Sequence, residues 1–508
     1  MAKLAIKSET AKQKGLFPIE IDDLIPQTHI VRAVNTLIDR LDITEVLGTY
    51  KGGGNSAFSP RTMVKILVYA YLCNIYSSRK IEQALKENIT FMWIAGMRRP
   101  NWRTINLFRG KRLKNHFENL FTQVVLLLSE QGFVSLNVQY VDGTKVESCA
   151  NKYTFVWRKT VEKNQAKLKN RLAALLQKIE QENEIESGEL PSPDTMSVAD
   201  FSSRIERIKS SIDETKIEKS KQKALKEAEK KDIPKLQEYD NHLSIMEERN
   251  SYSKTDTDAT FMRMKEDHML NGQLKPGYNI QQSTENQFIT HYEVYQNPTD
   301  YLTHIPYQES FAQCYGFYSS IVVADSGYGS EQNYQYFEQK GITAYVKYPL
   351  FHKEQHKKYR ENAFLPNNLY YNEKDDYYVC PMGQHMNHVR DEQRINDVGF
   401  KSTISIYRAQ NCDGCPLRGQ CYKARGNRQI EVNHRLNAYK RQARELLTSE
   451  EGLRHRSNRP IEPEAVFGQL KANGGFRRMR LRGKAGVSLE FGLKAMAHNI
   501  KKMHVKRA

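Results

Sequence analysis

The sequence predicts an α/β fold: a mixed sheet with flanking helices, preceded by an all-α N-terminal domain and interrupted by a helical coiled-coil insertion and a Cys-rich one. Three observations carry this. Two β-branched runs, ending at Asp142 and at Asp325, each meet an aspartate and then a glycine within two residues. Apolar residues recur at helical spacing through residues 25–135. Composition then shifts twice, to lysine and glutamate over 158–250 and to clustered cysteines over 380–421. The expected divisions are 1–135, 136–157 joined to 254–350, 158–253, 351–428 and 429–508.

Lys and Arg number 77 against 59 Asp and Glu, a net charge of +18 spread along 508 residues. Several cores are expected at this length, and the charge favours a polyanionic partner, nucleic acid before membrane. No apolar run is long enough for a membrane helix, and MAKLAIKSETAKQ lacks the apolar stretch of a signal peptide. A cytoplasmic protein is expected, whose seven cysteines form no disulfide framework.

In the N-terminal region Ser59-Pro60 is a helix start, with Met63, Ile66, Leu67, Ala70 and Tyr71 following at helical spacing. Ser77-Ser78 starts a second helix carrying Ile81, Ala84 and Leu85. Arg79, Lys80, Arg98, Arg99, Arg103, Arg109, Lys111 and Arg112 lie on or near the turns. That pattern suits a helix-turn-helix-like DNA reader, and equally a bundle with a solvated basic face. Lys51-Gly52-Gly53-Gly54 lacks the Lys-Ser/Thr of a phosphate loop and reads as a turn.

Val138, Tyr140 and Val141 form a strand that is expected to end at Asp142-Gly143-Thr144, with Glu147 as the local rival acid. From 158 the seams Leu168, Leu172, Leu175, Ile179, then Ile205, Ile208, Ile212, then Leu236, Tyr239, Leu243, Met246 have coiled-coil spacing. Pro191-Ser192-Pro193 would be the tip of an antiparallel hairpin; a solvated spacer helix is the alternative. Asp256, Asp258, Glu266, Asp267 and His268 match no calcium loop and read as surface and capping residues. Tyr278–Ser283 and Gln287–Tyr295 read as a hairpin joined at Thr284-Glu285-Asn286, then a helix over Tyr307–Tyr315, then Ile321–Ala324 with Asp325 at its end. Asp325 could merely cap its turn. Two acids on neighbouring strand ends can instead share divalent cations for displacement at a phosphodiester. Strand with acid, insertion, two antiparallel strands, helix, strand with acid is the order of a ribonuclease H-like fold.

Cys412-x2-Cys415 has knuckle spacing for tetrahedral Zn²⁺, which Cys380 and Cys421 would complete; His385 and His388 are alternative fourth ligands, and four unligated thiols the plain alternative. After Pro463 a helix is expected to start with Glu464. Lys471, seven residues on, would share its face. Glu462 is the rival acid, Arg459 a phosphate contact, and Arg477, Arg478, Arg480, Arg482 and Lys484 a basic loop for a DNA backbone.

These residues together resemble the DDE-type transposases of bacterial insertion sequences, over nearly the whole chain. SPRTMVKILVYAYLCNIYSSRKIEQA is similar to the family's helical DNA-binding domain, YVDGTKVESCANKYTFVW to the stretch with the first catalytic Asp, VVADSGYGSEQNY to that with the second, and EAVFGQLKANGGFRRMRLRG to that with the Glu. The resemblance puts the catalytic residues at Asp142, Asp325 and Glu464, with Lys471 at the lysine of the family's Tyr-Arg-Glu-Lys signature. That signature's arginine would fall at Pro460, one residue from Arg459, and no tyrosine stands at its spacing. The resemblance implies two Mg²⁺ ions (Mn²⁺ as substitute) on the three acids, double-stranded DNA as partner (terminal inverted repeats and target), at least a homodimer, and a nucleoid-associated location. Its rivals are a nuclease of the same fold and a catalytically dead DNA-binding protein.

Overall fold

The chain is described here by a computed structural model covering residues 20–51, 56–183, 192–211, 219–264 and 272–507. The expectations at Gly52–Gly54, Pro191, Ile212, Glu266, Asp267 and His268 lie outside the described residues.

Among the described residues seven α-helices come first: α1 (Ile30–Asp39), α2 (Thr44–Gly48), α3 (Pro60–Leu72), α4 (Ser78–Glu87), α5 (Ile89–Ile94), α6 (Trp102–Leu107) and α7 (Phe117–Glu130). Pro60 opens α3, where its missing N–H has no partner to lose. Asn88 and Asn101 cap α5 and α6 by accepting from Thr90 N and Thr104 N. The anticipated face of α3 is buried throughout, from Met63 to Tyr71. It shares one core with the sheet and with the last helix, through Ile280, Phe288, Val294, Phe491, Met496 and Ile500. Arg109, read as a surface cation, is instead buried: its guanidinium donates to Tyr71 Oη, Tyr76 O and Asn106 Oδ1.

The strands are β1 (Val138–Glu147), β2 (Phe155–Trp157), β3 (Ser251–Ser253), β4 (Thr260–Arg263), β5 (Leu274–Glu285), β6 (Phe288–Tyr295), β7 (Ile321–Ala324) and β8 (Thr343–Val346). The main sheet runs β4-β5-β1-β7-β8, with β6 also on β5. β5 is antiparallel to β1, β4 and β6, whereas β1, β7 and β8 are parallel. This mixed α/β arrangement is consistent with the ribonuclease H-like expectation. The β5–β6 hairpin turns at Asn286 and Gln287, both at positive φ as a two-residue turn of matching twist requires. Helices α12 (His304–Tyr315) and α13 (Glu331–Lys340) follow β6 and β7.

β2 pairs antiparallel with β3, so the chain leaves and re-enters the core side by side. Between them stand α8 (Arg158–Glu182), α9 (Val198–Ser211), α10 (Lys219–Glu227) and α11 (Ile233–Met246). Several helices share one core, including Leu172, Ala173, Leu176, Ile179, Phe201, Ile205, Ile208 and Leu236. A two-helix coiled-coil seam is not shown; the shared core is broader than one seam. Leu168 and Leu175 are only partly buried, because a bundle with neighbours on two sides uses a broader stripe than a two-helix seam. Glu180 and Arg204 form a buried ion pair across α8 and α9.

The Cys-rich segment after α14 (Lys357–Arg360) is a second sheet, ordered β13-β12-β11-β10-β9, from β9 (Tyr370–Asn372), β10 (Tyr377–Val379), β11 (His385–Ile395), β12 (Lys401–Ala409) and β13 (Gln429–Val432). The short α15 (Arg418–Cys421) precedes β13; then come α16 (His434–Thr448), α17 (Glu450–Asn458), α18 (Ala465–Gly468) and α19 (Lys484–Arg507). Among the described residues no helix is long and apolar enough to cross a membrane.

Candidate active site

β1 and β7 pair in parallel from Val138↔Ile321 to Tyr140↔Val323. Asp325 follows Asp142 by the same 183 residues as Ile321 follows Val138, so the two aspartates come level just past the last paired residues. β1 does not stop at Asp142, as the sequence reading had it. β5 keeps pairing with it as far as Glu147↔Gly277, so what ends there is only the parallel ladder, which frees one flank of Asp142.

The third acid arrives on the far side of the small sheet. In α17 the buried His455 holds Nδ1 2.8 Å from Tyr140 Oη, two residues before Asp142 on the same strand face, and so docks the helix over β1. One turn later comes Arg459, then a π-helical turn over Pro460–Glu464. Two prolines cannot donate the α-helical bond, and the wider turn absorbs the loss. The helix therefore does not begin at Glu464; it passes through both prolines from α17.

The result is a carboxylate cluster around one guanidinium. Arg459 Nη1 lies 2.9 Å from Glu464 Oε1, while Nη2 lies 3.2 Å from Asp142 Oδ1 and 3.8 Å from Asp325 Oδ2. Arg459 is 11 % exposed, and its Nε has no partner. Burial pushes the Asp142 carboxyl up to about 6; Arg459 opposes this, and the neighbouring Asp325 and Glu464 charges add to it. Asp325 Oδ1 also accepts from Gly327 N at 2.8 Å, so the turn-capping reading and the cluster reading both hold for this residue.

The rival acids are engaged elsewhere. Glu147 pairs with Lys275 at 3.1 Å and Arg478 at 3.6 Å. Glu462 is buried against the β5–β6 turn, accepting from Gln287 N. Asp256, read as a surface residue, is buried and accepts from Ser148 Oγ, Tyr278 Oη and Gly483 N. Asp258 accepts from Lys484 N.

Lys471 does not share an open face with Glu464: it is 9 % exposed, against 49 % for the Glu464 side chain. A second π-helical turn over Gln469–Asn473 adds to the first, and with fewer degrees per residue seven residues fall short of two turns. A further cation near the acids, beside Arg459, is one the sequence reading missed. Lys347 directly follows β8, half-buried and in the fields of Asp325, Glu464, Arg459 and Arg456. Its signal was available, since TAYVK repeats the grammar of a β-branched run ending on a charge.

Asp300 was also missed. Its Oδ1 accepts from Asn279 Nδ2 and Gln281 Nε2, both at 2.7 Å, and Gln281 in turn accepts from Tyr328 Oη. This network packs against Gly143, on the strand face opposite Asp142. A Cβ at Gly143 would stand 2.6 Å from Asp300 Oδ1 and clash with Gln281 Nε2. Gly143→Ala is therefore expected to cost about 1–3 kcal/mol of stability, read by urea melts; a wild-type midpoint would remove this network from the site's support.

Of the basic residues singled out, Arg79 and Arg103 are exposed and both lie against the Trp102 ring, at 5.1 and 5.3 Å. Arg477, Arg478, Arg480, Arg482 and Lys484 are all exposed. Arg478 and Arg480 also have internal duties, on Ser148 O and Ala150 O and on Glu490.

Residues 379–504 match the family model of a transposase DDE domain, and residues 19–111 match that of a transposase domain. Both matches indicate a DDE transposase of an insertion sequence. No curated protein and no solved structure matches it. Arg459, Glu464 and Cys380, Cys412, Cys415 and Cys421 lie inside the DDE-domain match, whereas Asp142 and Asp325 precede it.

Transposase DDE domains use divalent metals as a family. Among the described residues no group of three His, Cys, Asp or Glu is arranged to hold a metal ion as it stands; between these acids lies the Arg459 guanidinium. The donor set nevertheless fits a hard divalent cation. It is all oxygen, it already gathers around a positive charge, and burial holds its least exposed member toward the neutral form.

Proposed function

We propose that this transposase binds the terminal inverted repeats of its insertion sequence and cuts and joins DNA strands at Asp142, Asp325 and Glu464. The observation that carries the reading is the gathering of these three acids, from β1, the end of β7 and the π turn, on one guanidinium. They are the residues that would hold Mg²⁺, with Mn²⁺ as a substitute. When bound, such ions supply polarisation of an attacking water or 3′-hydroxyl and stabilisation of the leaving oxygen.

The chain's own groups complete the site. Arg459 neutralises the acids before metal and DNA arrive. Lys347, half-buried beside them, offers positive charge to the scissile phosphate, and Arg456 stands near Lys347. The exposed arginines 477 and 482 extend this along a DNA backbone, and Arg79 and Arg103, with Arg98 and Arg99, form a second basic surface on the N-terminal helices. Two ends must be cut and joined together, so the working unit is at least a dimer.

The test is incubation of the full chain with Mg²⁺ and linear DNA carrying both ends of its element, or the same DNA with the ends scrambled. End-dependent nicks followed by joined strand-transfer products are expected. Nicks without joining would make the protein a nuclease of this fold, and end-binding without either product a DNA-binding protein.

A further inference from the structure

The small sheet β9–β13 carries a cluster that the strand chemistry does not use. Cys380 follows β10 and sits in a tight turn: its N–H donates to Gln384 O, its carbonyl accepts from Gly383 N, and Gly383 has φ +80°. Cys412 and Cys415 bracket a second such turn, with Cys415 N donating to Cys412 O and Gly414 at φ +70°. Cys421 ends α15. All four thiols are free and line one cavity of about 20 Å³, otherwise walled largely by Pro381, Met382, Ala409 and Leu417; as they stand they are not drawn together around a single ion, and a metal would have to gather them. That is room for about one water-sized particle.

The charge around this cavity is the second observation. Arg428 is 4 % exposed, and its guanidinium donates to Phe364 O, through Nη2 at 2.6 Å, and to Cys421 Sγ, through Nη1 at 2.9 Å. Its backbone N–H donates to Cys412 Sγ. A buried guanidinium requires a counter-charge, and no carboxylate is among these partners. The groups placed to supply it are thiols. Arg418, outside the cavity wall, donates to Cys412 O, Ala424 O and Gly426 O and lies 3.9 Å from Asp413 Oδ1.

We propose that Cys380, Cys412, Cys415 and Cys421 bind one structural Zn²⁺ as thiolates, with the buried Arg428 as the cation that faces the site's charge. Four thiolates on a divalent ion leave a net charge of −2, of which Arg428, donating to two of the sulfurs, offsets one unit. Paired glycine-bearing turns hold cysteines as zinc knuckles do, and four soft ligands select Zn²⁺ over hard cations. Such a site leaves no open position, so its role is to fold the segment. The buried core beside it is only Tyr378, Met386, Tyr407, Ala409, Ile430 and Val432, and a sheet with so little apolar support gains stability from a metal staple. The inference is independent of the proposed reaction.

The test uses the full chain, purified without added metal or chelator. Elemental analysis is expected to find about one zinc per chain. In native protein Cys73, Cys149 and Cys314 are expected to react with a thiol reagent at their own rates, while the four site cysteines stay protected until a chelator releases the zinc. Exchange into Co²⁺ should give the absorption of a tetrahedral thiolate site. Cys412→Ser should lose most of the zinc and Cys73→Ser none. If Cys412→Ser fails to fold, the wild-type zinc content, chelator-dependent thiol release and Co²⁺ spectrum still decide. Zinc far below stoichiometry, iron in its place, or disulfides among the four cysteines would overturn the proposal.

Discussion

Asp325→Asn is expected to lower Mg²⁺-dependent cleavage of end-bearing DNA by at least about 10³-fold, with the fold retained. The neutral amide keeps the Oδ1 acceptor that caps Gly327 N but removes the charge that faces Arg459 and a bound cation. Asp142→Asn is expected to lose activity to the same degree and to do something further. In the metal-free protein the Asp142 carboxyl is pushed up to about 6, mainly by burial, against about 4 in an unfolded chain. Between those values the folded state holds a proton that the unfolded state has released. Its contribution to stability is therefore present at pH 4 and is lost as pH rises through 6. At pH 7.5 in a chelator, Asp142→Asn should be more stable than wild type by about 1–2 kcal/mol, reduced from the full two-unit value because the side chain is still 18 % exposed. At pH 4 the two should converge. Thermal melts across that range, beside a cleavage assay, check both. An Asp142→Asn variant that is inactive yet less stable at pH 7.5 would mean that Asp142 is a structural residue.

The legible part of this site was the part written in β grammar. Two β-branched runs each closing on an aspartate gave Asp142 and Asp325, and the parallel register then brings them level without any further information. Local sequence could not show that β1 continues past Asp142, because that is decided by β5, more than a hundred residues away. Glu464 does stand on the same guanidinium as the two aspartates, but its helix was misplaced: Pro463 reads as a helix start, and only the preceding α17 reveals it as the interior of a π turn. The same wide turns separate Lys471 from Glu464. β11 was invisible because HMNHVRDEQRI buries only Met386, so no apolar alternation marks it as a strand. In the helical insertion the spacing identified helices but not the number of partners. Leu176 and Ala173 join Leu172 and Ile179 in the core because neighbours pack on two sides.

Arg459 is the residue for which sequence and geometry make opposite predictions. Read as a phosphate contact, it should bind DNA: Arg459→Gln would then leave the free protein's melting temperature unchanged, weaken DNA binding evenly across sequences, and reduce the salt slope of binding by about one. The structure instead holds its guanidinium among three carboxylates. Removing one member of a buried ion pair costs about 3–5 kcal/mol in full burial. Asp325 and Glu464 are 40 % and 49 % exposed, so solvent screens much of their share. A loss of about 1–2 kcal/mol is therefore expected for Arg459→Gln in a chelator near neutral pH. The decisive feature is the response to Mg²⁺. The variant's acids lose their internal cation and so should take up Mg²⁺ more readily, and saturating Mg²⁺ should restore more stability to Arg459→Gln than it adds to wild type. Melts of both proteins with chelator and with Mg²⁺, without DNA, separate the two roles. Equal Mg²⁺ responses would show that Arg459 does not compete with a cation for these acids, and would return it to the DNA backbone.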